Sequence, residues 1–409
     1  MTWVPPPRTA DAQAIHAAAA ADRRANPDRF RLDAELLIER AAGDRFDPAD
    51  FVGAWREGVD AYLTSAVADG RLNALGQKMV ADTVVGRLRA GARTAAVHTA
   101  RQPTPLAAPP IVIIGGWRTG TTFLYRLLGT DPQLHAPLPA ELGAPWRFAG
   151  LDPAARRVAI EAAAPAHNLL HTLNPTMAAV HDSGALLPEE CVLAMGSDMR
   201  NWGFTSTVRL DGYAEWLAEQ DFAGSYARYR SVLELLADGD DRRFVLKAPA
   251  HTAELDHLVD TFPGAVVVHL HRDIVETIAS GASLFAVFRS TYSDDVDPVD
   301  VGRFQTEQTE RWFRRAGEFR ARPAADAATF VDVDYDDLVA DPASTVRRIY
   351  AAAALAPPAD VDAFVAAYHA AHPRTARGPH RYAPSDFGLD PASLRTRFSF
   401  LPTRKIRGS

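Results

Sequence analysis

The run Ile111-Val112-Ile113-Ile114-Gly115-Gly116-Trp117-Arg118-Thr119-Gly120-Thr121-Thr122 constrains this chain more than any other stretch. Four consecutive apolar residues with no polar alternation predict a strand buried on both faces, as in a parallel sheet covered by helices. The glycines allow a tight turn, and a helix from about Thr121 to Leu128 follows. Amide N–H groups at such a helix start point at an anion. Set against the Walker pattern G-x-x-x-x-G-K-[S/T], Gly115, Gly120 and Thr122 match, while Thr121 stands where the lysine belongs. That lysine neutralises the β- and γ-phosphates of a nucleoside triphosphate. Here the positive charge comes three residues earlier, at Arg118, so the loop is expected to hold an anion other than ATP or GTP.

Further apolar runs extend the pattern. Phe244-Val245-Leu246, 265–270 and 329–333 read as strands, and helices are expected over about 252–262 and after Asp273. Strands alternating with helices imply α/β architecture. Residues 1–105 read as helical. Asp47-Pro48-Ala49-Asp50 has the form of a helix start, with Phe51, Trp55, Val59, Tyr62 and Leu63 then recurring at helical spacing. A second helix is expected over about 75–97. The stretch 145–235 shows no strand pattern and reads as a helical insertion. The expected fold is therefore a P-loop-like parallel sheet flanked by helices, divided into a helical N-terminal region (1–105) and an α/β core (106–409) carrying that insertion.

Forty-four basic against fifty-one acidic residues give a net charge of −7, which argues against a nucleic-acid partner. No apolar run approaches the ~18 residues of a membrane span. The N-terminus lacks the apolar core and cleavage site of a secretory signal, so a cytoplasmic location is expected. One cysteine, Cys191, leaves no intrachain disulfide or cysteine-based zinc cluster, and no metal site is expected. Only three of the basic residues are lysines, Lys78, Lys247 and Lys405. Since arginine serves elsewhere, a retained lysine points to a position that needs a compact ammonium.

Arg118-Thr119-Gly120-Thr121-Thr122 resembles the [K/R]-[S/T]-G-[S/T]-[S/T] loop of sulfotransferases that use 3′-phosphoadenosine 5′-phosphosulfate (PAPS). In that family a second element, an arginine ending a strand and a serine eight residues on, binds the 3′-phosphate. Arg272 and Ser280 match it. Leu246-Lys247-Ala248-Pro249-Ala250-His251 is similar to the L-K-[S/A]-P-x-H segment of the bacterial branch. Asp334-Tyr335-Asp336-Asp337-Leu338 and Arg377-Gly378-Pro379-His380-Arg381-Tyr382 through Asp386-Phe387-Gly388-Leu389 also resemble it. Two features depart. Ala140 replaces the tryptophan of a W-E-L element, and Arg404-Lys405-Ile406 does not reproduce the C-terminal cofactor motif of the cytosolic animal enzymes.

The resemblance implies PAPS as sulfuryl donor, bound by Gly116, Trp117, Arg118, Thr119, Gly120, Thr121 and Thr122 at its phosphosulfate and by Arg272 and Ser280 at its 3′-phosphate. It implies Lys247 as the electrophile. For the base it points to Glu141, 23 residues after Arg118, with desolvation by Pro139, Leu142 and Trp146 raising its pKa. His251 and His181 are the rival bases; His251 reads equally as a substrate contact or as support for a helix start, and His181 as a contact to the acceptor or a structural histidine. Trp117 is placed either against the adenine or in the core. Trp146, Phe148, Trp202, Phe204 and Trp216 suit an apolar pocket for a hydrophobic small molecule or lipid, or are simply core. Asp332, Asp334 and Asp336 read as a solvated edge, and Arg311, Arg314 and Arg315 as an exposed helix face. A nucleotide-dependent kinase or ATPase, and a non-catalytic adenosine-bisphosphate or partner-binding protein, are the alternative functions.

Overall fold

The computed structural model describes residues 3–167, 169–372 and 382–402. Five parallel strands form one sheet in the order β2-β3-β1-β4-β5: β1 Ile111–Gly115, β2 Leu134–His135, β3 Arg243–Lys247, β4 Val266–His271 and β5 Thr329–Asp334. The continuous apolar runs are explained by the two faces. Val112, Ile114, Leu246 and Val267 enter one apolar cluster, and Ile111, Ile113, Val245 and Val268 enter another on the opposite side. β1 alternates between two cores along its whole length, whereas the edge strand β5 exposes Thr329 and only half-buries Phe330, Asp332 and Asp334.

The first cluster joins the sheet to α2 Ala34–Ala42, α3 Trp55–Ala68 and α4 Ala74–Arg101, while Ala19 of α1 Ala10–Ala25 packs in a separate cluster with Ala74 and Leu75 of α4. Leu37, Val59, Tyr62, Val84 and Leu88 share this cluster with Val112 and Leu246. The N-terminal helices therefore complete the sheet's own core. One boundary differs from expectation. Asp47 and Asp50 do form a reciprocal capping box, but around a single 3₁₀ turn, Pro48–Asp50. Phe51 then adopts extended backbone, and the helix begins at Trp55.

After the loop helix α5 Thr121–Leu128, the chain between β2 and β3 forms α6 Pro139–Gly143, α7 Pro153–His167, α8 Leu169–Leu173, α9 Met177–Val180, α10 Phe204–Thr207, α11 Asp211–Ala218 and α12 Ala223–Leu236. No strand occurs among the described residues of 145–235. Beyond β3 come α13 Leu255–Thr261, α14 Ile274–Tyr292 and α15 Pro298–Arg320. Asp273 caps α14, accepting from Val275 and Glu276 N–H. No described helix is long and apolar enough to cross a membrane. Residues 377–381 and Arg404-Lys405-Ile406 lie outside the described residues.

Candidate active site

Ligands in open parallel sheets bind beyond the carboxyl ends of the strands. Three adjacent strands, β3, β1 and β4, end in Lys247, Gly115 and His271, the last followed by Arg272. The strand order therefore brings together motifs that are more than a hundred residues apart in sequence. A Cβ on Gly115 would sit 2.5 Å from Leu270 O, so only glycine lets the loop leave the sheet so close to β4. Gly120, at φ 91°, takes the left-handed turn that starts α5. Thr119 Oγ1 donates to Gly116 O at 2.9 Å and braces the loop from inside. Arg118 has φ 59°, a left-handed conformation at a non-glycine residue within the proposed anion loop.

The loop opens into a cavity of about 1210 Å³. Trp117, Arg118, Gly120, Thr121, Thr122 and Arg272 line one end. Phe148, Ile160, Leu170, Met177, Leu193, Phe204 and Phe288 line an apolar arm, and His181, Glu189 and Glu190 lie on its wall. Arg118 Nη1 donates to Val180 O at 3.1 Å, and Arg272 Nη1 donates to Arg118 O at 3.0 Å with its guanidinium 4.5 Å above the Tyr335 ring. Ser280 Oγ is buried in α14 with no protein partner. An orphaned buried hydroxyl and an arginine on the cavity wall are donors suited to an anion. Arg118 and Arg272 on the cavity wall, with the buried Ser280 hydroxyl behind it, fit a nucleotide with two anionic ends such as PAPS.

Lys247, 2% exposed, is the junction of the site. Its Nζ lies 2.6 Å from Glu190 Oε1 and 3.3 Å from Thr122 Oγ1, tying the loop helix to a carboxylate on the cavity wall. The wall itself is fastened to α5: buried Arg126 donates to Asp182 Oδ2 at 3.0 Å and to Asp182 O. His181 Nε2 stands 3.2 Å from Glu189 Oε1. Burial opposes both charges, but their mutual attraction outweighs it. The His181 pKa is raised, and the Glu189 carboxyl is held down to about 2.

Several expected site residues lie elsewhere. Glu141 is buried but does not line the cavity, although Pro139, Ala140 and Gly143 beside it do. Its Oε2 accepts the Leu138 N–H at 2.7 Å, and it pairs with Arg156 Nε at 3.0 Å and His135 Nε2 at 3.5 Å. Burial alone would raise its pKa, yet His135, Arg156 and the Leu138 amide together lower it. The expected desolvated base is thus a helix-capping carboxylate with a full set of partners. His251 is fully buried with Nδ1 2.7 Å from Tyr226 Oη, and burial pushes it down to about 3. It does not line the cavity either.

Trp146 turns away from the arm to sit under Arg93, and Trp216 lies under Arg200. Phe148, Trp202 and Phe204 do line it. Trp117 packs on Phe285 and Trp312, with ring centroids at 5.5 and 4.9 Å, on the core side of the loop. Asp332 is not a solvated edge: it forms a two-pronged pair with Arg320 and meets His271 Nε2 at 2.6 Å. Arg315 likewise leaves the exposed face to pair with buried Glu254. Sequence reasoning passed over Glu190. Its only local signal is the pair Glu189-Glu190 next to an apolar segment.

With this geometry in view, comparison with known proteins decides the family. Residues 109–358 match the model of the sulfotransferase family. The chain belongs to that family. The omega-hydroxy-beta-dihydromenaquinone-9 sulfotransferase Stf3 of Mycobacterium bovis, and its counterpart in Mycobacterium tuberculosis, are 27% identical over 263 residues. That alignment covers 60% of this chain and 63% of the relative, so the chain spans under two thirds of the length of the curated relatives it matches. Sulfotransferase STF1 of Mycobacterium tuberculosis superposes with a TM-score of 0.72 at 26% identity, covering 95% of this chain and 98% of that one. STF9 of Mycobacterium avium superposes at 0.74 and 23% identity, over 92% and 95% of the two chains, and shares the fold. The parallel sheet is that of a sulfotransferase.

Proposed function

We propose that this sulfotransferase moves a sulfuryl group from PAPS to the hydroxyl of an apolar small molecule or lipid. The observation that carries the reading is Lys247 Nζ, within reach of both Thr122 on the phosphate loop and Glu190 on the cavity wall. When bound, PAPS supplies an activated sulfuryl group and adenosine 3′,5′-bisphosphate is released. The loop amides and Arg118 hold the phosphosulfate, and Arg272 with Ser280 hold the 3′-phosphate. Lys247 places a fixed ammonium where negative charge develops during transfer.

Glu190 takes the role of base, in preference to Glu141. It lines the cavity, its side chain is partly exposed, and through Lys247 it is tied to the Thr122 hydroxyl of the loop. Glu141 is held instead by the Leu138 N–H, Arg156 and His135, and His251 by Tyr226 in the interior. His181 is engaged as the charge partner of Glu189, which raises its pKa against the effect of burial. The apolar arm favours a hydrophobic acceptor, consistent with the lipid named for the Stf3 relative.

Calorimetric titration tests the donor half of this reading. Adenosine 3′,5′-bisphosphate is expected to bind in the micromolar range, with ATP and adenosine 5′-monophosphate much weaker. A preference for ATP overturns it in favour of a kinase or ATPase. Binding without any transfer to long-chain alcohols favours a non-catalytic nucleotide binder.

A further inference from the structure

One face of α4 forms a wall of the cavity. Asp82, Thr83, Gly86, Arg87 and Ala90, spaced so that they share one side of the helix, all line it. Arg87 is half-buried there. Its Nη1 donates to Leu193 O at 2.5 Å, and its guanidinium lies 5.6 Å from the centre of the Phe204 ring. Leu193 and Phe204 both line the apolar arm, and the turn Cys191–Leu193 directly follows Glu190. Arg87 is thus a cation set among apolar groups, on an arm whose wall continues into Glu190.

A charge in such surroundings is ordinarily compensated. Five arginines line the cavity: Arg87, Arg118, Arg126, Arg147 and Arg272. Arg118 and Arg272 stand at the loop end, Arg147 is exposed to solvent, and Arg126 pairs with Asp182. Among the described residues Arg87 meets only backbone carbonyls, those of Leu193 and Val192. The carboxylates of the wall are engaged elsewhere: Asp82 with Lys78, Asp182 with Arg126, Glu189 with His181 and Glu190 with Lys247. Burial lowers the Arg87 pKa to about 10, and the groups that oppose this are the phenols of Tyr62 and Tyr213. The guanidinium therefore stays charged near neutral pH with no carboxylate beside it. Arg89, Arg243 and Arg289 also rest on backbone carbonyls, but none of them lines the cavity.

We infer that the acceptor carries one carboxylate on its apolar chain, which pairs with Arg87 and makes this residue a determinant of acceptor specificity. One guanidinium matches one monoanion. The inference rests on reading the cavity as the acceptor site, and it concerns binding rather than turnover.

The test is a titration of the full chain, saturated with adenosine 3′,5′-bisphosphate, with a long-chain primary alcohol and with hydroxy acids in which a carboxylate stands at successive positions along the same chain. At least one hydroxy acid is expected to bind about tenfold more tightly than the plain alcohol, the size of one hydrogen bond to a charged group. The matching hydroxy amide, neutral and of the same shape, should lack the advantage. Arg87→Gln should abolish the preference for the acid, with a cooperative denaturant melt showing that the variant is folded. Arg87→Lys, which keeps the charge but not the planar fork, serves as the second variant if Arg87→Gln fails to fold, and should weaken the preference. Affinities within about twofold across the whole series, an amide that binds as tightly as the acid, or a preference undiminished in the folded Arg87 variant overturns the inference. Labelled PAPS added to the same mixtures separates the two readings. A carboxylate preference without any sulfuryl transfer contradicts the proposed reaction and leaves the inference standing. Transfer without preference does the reverse.

Discussion

The loop end of the cavity and its facing wall are held in place by different means. At the loop end, Gly115, Lys247 and Arg272 leave neighbouring strands whose ladder hydrogen bonds set their spacing. On the wall, His181, Glu189 and Glu190 follow short helices and turns, and side chains do the fastening: Arg126 to Asp182, Arg118 to Val180 O, Lys247 to Glu190. The strand edge is rigid because the sheet is, whereas the wall is positioned by the charges that also carry the chemistry. Substitutions of Lys247 and Arg272 should therefore act on transfer or donor binding, and substitutions in the wall should separate into chemical and purely structural ones.

The sharpest separation is between two buried or half-buried glutamates. Glu190→Gln is expected to lower kcat by about 10²–10⁴-fold while leaving the affinity for adenosine 3′,5′-bisphosphate unchanged, measured by initial rates and calorimetry. Lys247→Arg follows, with about 10²-fold lost from kcat, since a planar fork cannot replace a point charge between Thr122 and Glu190. Glu141→Gln should leave kcat within about threefold, yet lower unfolding stability by about 3 kcal/mol, because it breaks a buried pair with Arg156. Denaturant melts check this. A large loss of kcat with no loss of stability would return the base role to Glu141.

The smallest effect concerns pH. His251 takes up its proton near 6.5 when unfolded and near 3 when buried, so the unfolded chain binds more protons between those values. Stability from this group is complete above about 6.5 and is lost progressively as pH falls towards 3. His251→Gln should flatten that acid slope in stability and leave the pH dependence of kcat/KM unmoved. A shifted kinetic profile would place His251 in the chemistry.

The part of the site that was legible in sequence is the part built from contiguous pattern. Strands buried on both faces read as unbroken apolar runs, and the loop and the Arg272–Ser280 spacing each lie within one strand–helix unit. β2, two residues long, is too short to leave a periodic signal. Glu141 and not Glu190 stands out in sequence as a candidate, because what separates them is which cations each meets in the fold. Arg156 and His135 take Glu141, while Glu190 meets a lysine 57 residues away. Trp146 and Phe148 differ for a similar reason. They are neighbours in sequence, yet one packs under Arg93 and the other faces the arm.

The most direct test is single-turnover transfer of labelled sulfuryl from PAPS to long-chain alcohols by the wild-type, Glu190→Gln and Glu141→Gln proteins, each saturated with donor. Rapid transfer by wild type and Glu141→Gln, with the Glu190→Gln rate at least about a hundredfold lower, is the predicted result. Transfer that survives in Glu190→Gln, or that fails in the wild-type protein despite bound donor, would contradict the account.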